Sequence, residues 1–88
     1  MSDDDRLHRV QDFLGRRLGD AWEIEQSPMA RIVVAMRLWG DGTSDTVYAL
    51  DNGYAYGHRD TVAGRTVMET EGLIPAVVQV MSDWIGPD

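Results

Sequence analysis

One histidine and its nearby carboxylates are the residues of this chain best suited to acid–base chemistry. An imidazole titrates near neutral pH, so His58 with Asp60 or Asp51 could act as a general acid/base pair. The segment His58-Arg59-Asp60 also has the letters of a kinase catalytic loop. No asparagine follows at the required spacing, and 88 residues cannot hold a kinase. His8 has Asp4, Asp5 and Asp12 at helical neighbour positions and is most simply a solvated side chain. Asp41-Gly42-Thr43-Ser44-Asp45 offers oxygen ligands of the kind a calcium loop uses. It lacks the third acidic ligand and the distal glutamate of such a loop, and a hairpin turn explains it better. With no cysteine there is no thiolate nucleophile, zinc ribbon or disulfide. No catalytic residue, metal site or cofactor is expected.

Binding chemistry is better represented. Tryptophan, tyrosine and arginine are the types that carry most of the energy at protein interfaces, and Arg37, Trp39, Tyr54, Tyr56 and His58 form the candidate partner-binding set. The register argued below puts them, with Val33, Ala35, Val47 and Ala49, on the sheet face turned away from the helices. Contiguous exposed apolar surface of that kind marks a contact site.

Fifteen acidic residues against eight basic ones give a formal charge of -7, which repels phosphate backbones and anionic lipid. The expected partner is a protein, a second copy of the chain or a small molecule, and neither nucleic acid nor a membrane. All eight basic residues are arginine, a bias expected of a GC-rich genome, with adaptation to high salt as the alternative. Leu7, the first apolar position, stands behind Asp3, Asp4 and Asp5, so no signal peptide is read at the start. No apolar run approaches membrane-spanning length. A cytoplasmic location is expected.

The elements that must position these residues follow from periodicity. Ser2 and the three aspartates suit a helix start, and Leu7, Val10, Leu14 and Leu18 make an apolar stripe over residues 3–18. Arg16 and Arg17 complement the carbonyl end, and Gly19 is placed to close the helix in the left-handed conformation. Residues 21–26 alternate as a short strand, ended by Ser27-Pro28. Residues 30–56 organise the chain as strand, turn, strand, turn, strand. Ile32, Val34, Met36 and Leu38 fall on every second position and are assigned to the core face.

A three-residue turn at Gly40-Asp41-Gly42 aligns Met36 with Thr46, Val34 with Tyr48 and Ile32 with Leu50, burying Tyr48 and Leu50. A loop one residue shorter or longer would bury Val47 and Ala49 instead. Asn52-Gly53 suits a two-residue turn, which sets Leu50 against Ala55 and Tyr48 against Gly57. Ala55 and Gly57 are small enough to admit a helix close to the sheet. The signal fades over residues 59–70, where residues 66–69 suit a short edge strand.

Residues 75–84 form the closing helix, which Gly86-Pro87 stops. Its apolar residues span about 200° of the wheel against the roughly 100° stripe of a surface helix. It must therefore bury more than one flank, and Val77, Val78, Met81, Trp84 and Ile85 are the candidate residues for packing on a second copy.

The predicted fold is α+β in a single domain over residues 1–88: a two-layer sandwich of helix, three- or four-stranded antiparallel meander and helix, both helices on one sheet face. Double-stranded RNA-binding domains share this order of elements. Their grip on phosphate needs a basic helix start, whereas here the last helix begins near Glu69 and Glu71 and holds no lysine or arginine. The functional expectation is a non-enzymatic interaction module, a homodimer or an accessory subunit. The alternatives are a small-molecule binder or minor enzyme around His58, Tyr54, Tyr56 and Arg37, and an acidic inhibitor that imitates nucleic acid.

Overall fold

The computed structural model describes residues 3–27 and 29–86. Ser2, Pro28 and Pro87, read above as cap, strand end and helix stop, lie outside the described residues, as do the side chains of Asp3 and Asp4. Helix α1 (Asp3–Leu18) ends at Gly19, whose φ is 85° and whose amide donates to the Gly15 carbonyl at 3.3 Å. Strands β1 (Glu23–Ser27), β2 (Ile32–Leu38), β3 (Ser44–Leu50), β4 (Tyr54–Asp60) and β5 (Thr66–Leu73) follow, and then α2 (Ile74–Ser82). Each strand pairs antiparallel with the next, so the spatial order is the sequence order. The fold is α+β, a five-stranded antiparallel sheet with one helix before the strands and one after. No described helix is long and apolar enough to cross a membrane.

Three hairpins are closed by one kind of turn. At residues 40–42 the Gly42 amide donates to the Trp39 carbonyl at 3.1 Å and the Trp39 amide to the Thr43 carbonyl at 2.8 Å, with Gly42 at φ 91°. This is the three-residue turn read from the sequence. Its pairs are those expected: Ile32 with Leu50, Val34 with Tyr48 and Met36 with Thr46. Residues 51–53 repeat it, the Gly53 amide donating to the Leu50 carbonyl at 3.2 Å with φ 95°. The two-residue turn expected at Asn52-Gly53 is therefore corrected, and Ala49 rather than Leu50 faces Ala55, with Val47 facing Gly57. The third turn, at residues 62–64, has Gly64 at φ 81° and a 2.8 Å bond from the Gly64 amide to the Thr61 carbonyl. It creates β5, the strand for which the fading signal allowed only residues 66–69. Glu69 and Glu71 lie in β5 rather than at the helix start.

The buried apolar sheet residues are Val33, Ala35, Val47, Ala49 and Ala55, which form one cluster with Leu7 and Leu14 of α1 and Ile74, Val77, Val78 and Met81 of α2. The set assigned to the core from its spacing, Ile32, Val34, Met36 and Leu38 with Tyr48 and Leu50, is on the other face, where Met36 is 41% and Leu38 73% exposed. The reason is size. β2 is apolar on both faces, so period two alone does not choose between them. Residues of both helices share one cluster with the small residues of the sheet, whose size admits a close approach. Gly57 marks the limit, since a Cβ there would collide with the Met81 sulfur. α2 is further tied to the sheet through the Ile74 amide, which donates to the Gly53 carbonyl at 2.9 Å.

Candidate functional site

Alternation along the strands divides the candidate partner-binding residues between the two faces. Arg37 and Trp39 lie on the face of the buried core residues, where they join Asp45 and Arg59 in a buried polar cluster. Asp45 is opposite Arg37 on β2 and opposite Arg59 on β4, so register alone brings the three together. Arg59 donates to both Asp45 oxygens, Nε to Oδ1 at 2.6 Å and Nη2 to Oδ2 at 3.0 Å. Arg37 Nη2 donates to Oδ2 at 2.7 Å and Trp39 Nε1 to the same oxygen at 2.9 Å. Arg37 also reaches the Met81 and Trp84 carbonyls at 3.4 Å, near the end of α2, where the helix dipole favours a cation.

All three tryptophans border this cluster. The Arg37 guanidinium lies 4.5 Å from the Trp22 ring centroid and 4.4 Å from that of Trp39, and Arg59 lies 5.5 Å from Trp39 and from Trp84. Asp45 is fully buried. Burial works against its charge, but the hydrogen bonds from Arg59, Arg37 and Trp39 outweigh that and hold its carboxyl below the usual range. The hydrogen bond to Asp45, helped by the charges of Asp45 and Asp41 and opposed by burial, raises the Arg59 guanidinium further. Every carboxylate oxygen is used, so this is a structural knot that joins three strands to α2. Sequence reasoning missed the roles of Asp45 and Arg59. The signal was present in the expected register, which already set Arg37 opposite Asp45.

Tyr54, Tyr56 and His58 lie on the open face with Tyr48, Leu50, Ile32, Val34 and Met36. The His58 ring stacks on Tyr48, with centroids 5.9 Å apart and planes at 22°, and tilts against Tyr56 at 5.5 Å. His58 Nδ1 is 3.1 Å from Asp60 Oδ1, which also accepts from the Thr66 hydroxyl at 2.7 Å. Asp60, rather than Asp51, is therefore the carboxylate partner of His58. Burial raises the Tyr56 hydroxyl, helped by the charges of Glu69, Asp60 and Glu71.

All four glutamates of the chain border this open face. Glu23 and Glu25 of β1 stand opposite Met36 and Val34, and Glu69 and Glu71 of β5 stand opposite His58 and Tyr56. Among the described residues no arginine shares the face. Arg6, Arg9, Arg16 and Arg17 are on α1, Arg31 and Arg65 are in turns, and Arg37 and Arg59 are on the covered side.

The candidate oligomer helix is mostly committed within the chain. Val77, Val78 and Met81 are in the core, Trp84 packs against it, and Ile85 is 80% exposed. Three cavities lie away from His58: one of about 430 Å³ at Gln11, Gly15 and Ile24, one of about 250 Å³ at Val10, Phe13, Ile74 and Pro75, and one of about 120 Å³ over Val34 and Met36 beside Glu23 and Glu25. The Asp41 carboxylate accepts from the Thr43 amide at 2.9 Å, and that bond, as the main cause, holds it below the ordinary range, in keeping with a turn. Among the described residues no three metal-ligating side chains converge. The chain has no significant match to a protein-family model, a curated protein or a solved structure.

Proposed function

We propose that the chain is a non-enzymatic protein-binding module, an accessory or regulatory subunit whose contact surface is the open sheet face. The reading takes both helices to cover the opposite face, as in a two-layer sandwich. One observation carries it: an apolar and aromatic centre bordered on both edges by carboxylates, with no guanidinium among the described residues of that face. Met36, Tyr48, Leu50 and Tyr54 are each more than a third exposed, and Tyr48 and Leu50 stand opposite Val34 and Ile32 of β2. Tyrosine in such a setting presents large area at small entropic cost. The glutamates select the partner, because opposite potential steers encounter and like charge is repelled.

A second copy docked face to face would bring the same glutamates together, so the partner is a different protein that presents a basic, apolar surface. The second reading, a small-molecule binder or minor enzyme, rests on the imidazole that Asp60 and Tyr48 hold in place. The test is affinity capture from the source cells with the native chain and with the Tyr48→Ala/Leu50→Ala double variant. The native chain should retain basic proteins that the variant, with an unchanged circular-dichroism spectrum, does not, and raised salt should weaken the capture. Equal capture by both, or a native chain that retains none, would overturn the reading.

A further inference from the structure

β5 is the longer of the two edge strands and the more open. Among the described residues β4 is its only strand neighbour, and Thr66, Val67, Met68, Glu69, Glu71 and Leu73 are all exposed. β1 is only five residues long and lies against α1, its Gln26 side chain meeting those of His8 and Gln11. An unpaired edge of eight residues presents amides and carbonyls that another strand can use.

We infer that β5 accepts an extended segment of a basic partner as a sixth, antiparallel strand, an inference that rests on the proposed protein-binding role. Side-chain alternation specifies the segment. On the open face the edge reads Leu73, Glu71, Glu69, backed by Tyr54, Tyr56 and His58 on β4. The residues opposite these are, in the segment's own direction, apolar, basic and basic, each separated by one residue. The intervening positions face Gly72 and Thr70, which are small and leave them unconstrained.

A second copy of the chain does not meet this specification. Antiparallel pairing of β5 with itself, both open faces on one side, sets Glu69 against Glu69 or Glu71 in the central registers, and like charges directly opposite destabilise. The exposed β5 edge and its alternate glutamates therefore admit a basic strand and exclude the chain's own.

The probe is a fluorescent seven-residue peptide that alternates threonine with one valine and then two arginines, read by anisotropy against the full chain. The native chain should bind it. Loss of about tenfold in affinity is expected for Glu69→Gln/Glu71→Gln, as for two cross-strand charge pairs. A similar loss is expected when alternate peptide amides are methylated, which removes edge hydrogen bonds without changing charge. A peptide with glutamates in place of the arginines should not bind. No binding of the arginine peptide would mean that the glutamates only guard the edge, and would overturn the inference. Binding that ignores methylation and the glutamine changes, yet is lost in Tyr48→Ala, would overturn strand addition while leaving the open-face reading intact.

Discussion

Replacing Asp45 by alanine should do more damage than any other single change to a polar residue of this chain. The substitution leaves two guanidiniums facing each other beneath α2, with Arg59 only 7% exposed and Arg37 held between Trp22 and Trp39. Removing one partner of a buried ion pair costs about 3–5 kcal/mol. A domain of this length has roughly 4–13 kcal/mol to lose, taking about 0.05–0.15 kcal/mol per residue. Each kcal/mol moves the midpoint of a domain this size by about 4–8 °C, so the melting temperature should fall by about 12 °C or more. Urea unfolding followed by tryptophan fluorescence reads this directly, because all three tryptophans border the cluster. A triple variant, Arg37→Met/Asp45→Leu/Arg59→Met, should recover most of the loss, since a buried ion triad replaced by apolar residues is often neutral or stabilising. A loss below about 1 kcal/mol for Asp45→Ala, the range of exposed pairs, would refute the claim that this cluster holds the sheet to α2.

Other outcomes follow from the same geometry. Because the folded Asp45 carboxyl lies below its unfolded value, its contribution is present above an unfolded pKa of about 3.9 and is lost as pH falls through the lower folded value; acid unfolding monitored by circular dichroism should therefore be shallower in the triple variant. The Tyr56 hydroxyl is shifted the other way, so one tyrosine should ionise above the usual value of about 10 in an ultraviolet titration, and its contribution to stability should fade as pH rises through that raised value. Gly57→Ala should cost about 1–3 kcal/mol by overpacking against Met81, measured by thermal melting. Trp39→Ala should cost about 1–3 kcal/mol, because it removes a partly buried ring over Arg37 and the indole bond to Asp45, whereas Tyr54→Ala, half exposed on the open face, should stay within about 1 kcal/mol.

Most elements of the fold were legible because periodicity and turn chemistry agree there. Leu7, Val10, Leu14 and Leu18 with Gly19 bound α1, and Gly40-Asp41-Gly42 fixed the β2–β3 register. The faces were not legible, and a single residue explains why. Reading Asn52-Gly53 as a two-residue turn put Ala55 and Gly57 beside Leu50 and Tyr48, so their small size argued for the wrong side. With Asp51 inside the turn they stand beside Ala49 and Val47, and the small residues of three strands join one buried cluster with residues of both helices. The candidate site split for the same reason, with Arg37 and Trp39 beside buried Asp45 and Tyr54, Tyr56 and His58 on the other face. β5 was read only as residues 66–69, because its exposed residues carry no alternating apolar signal.

Amide hydrogen exchange of the chain, alone and with a captured basic partner, decides whether β5 is the docking edge. Exchange along β5, whose outer edge is open in the free chain, should slow, with α1 unchanged. Protection confined to α1 or α2, with β5 exchanging as before, would contradict it.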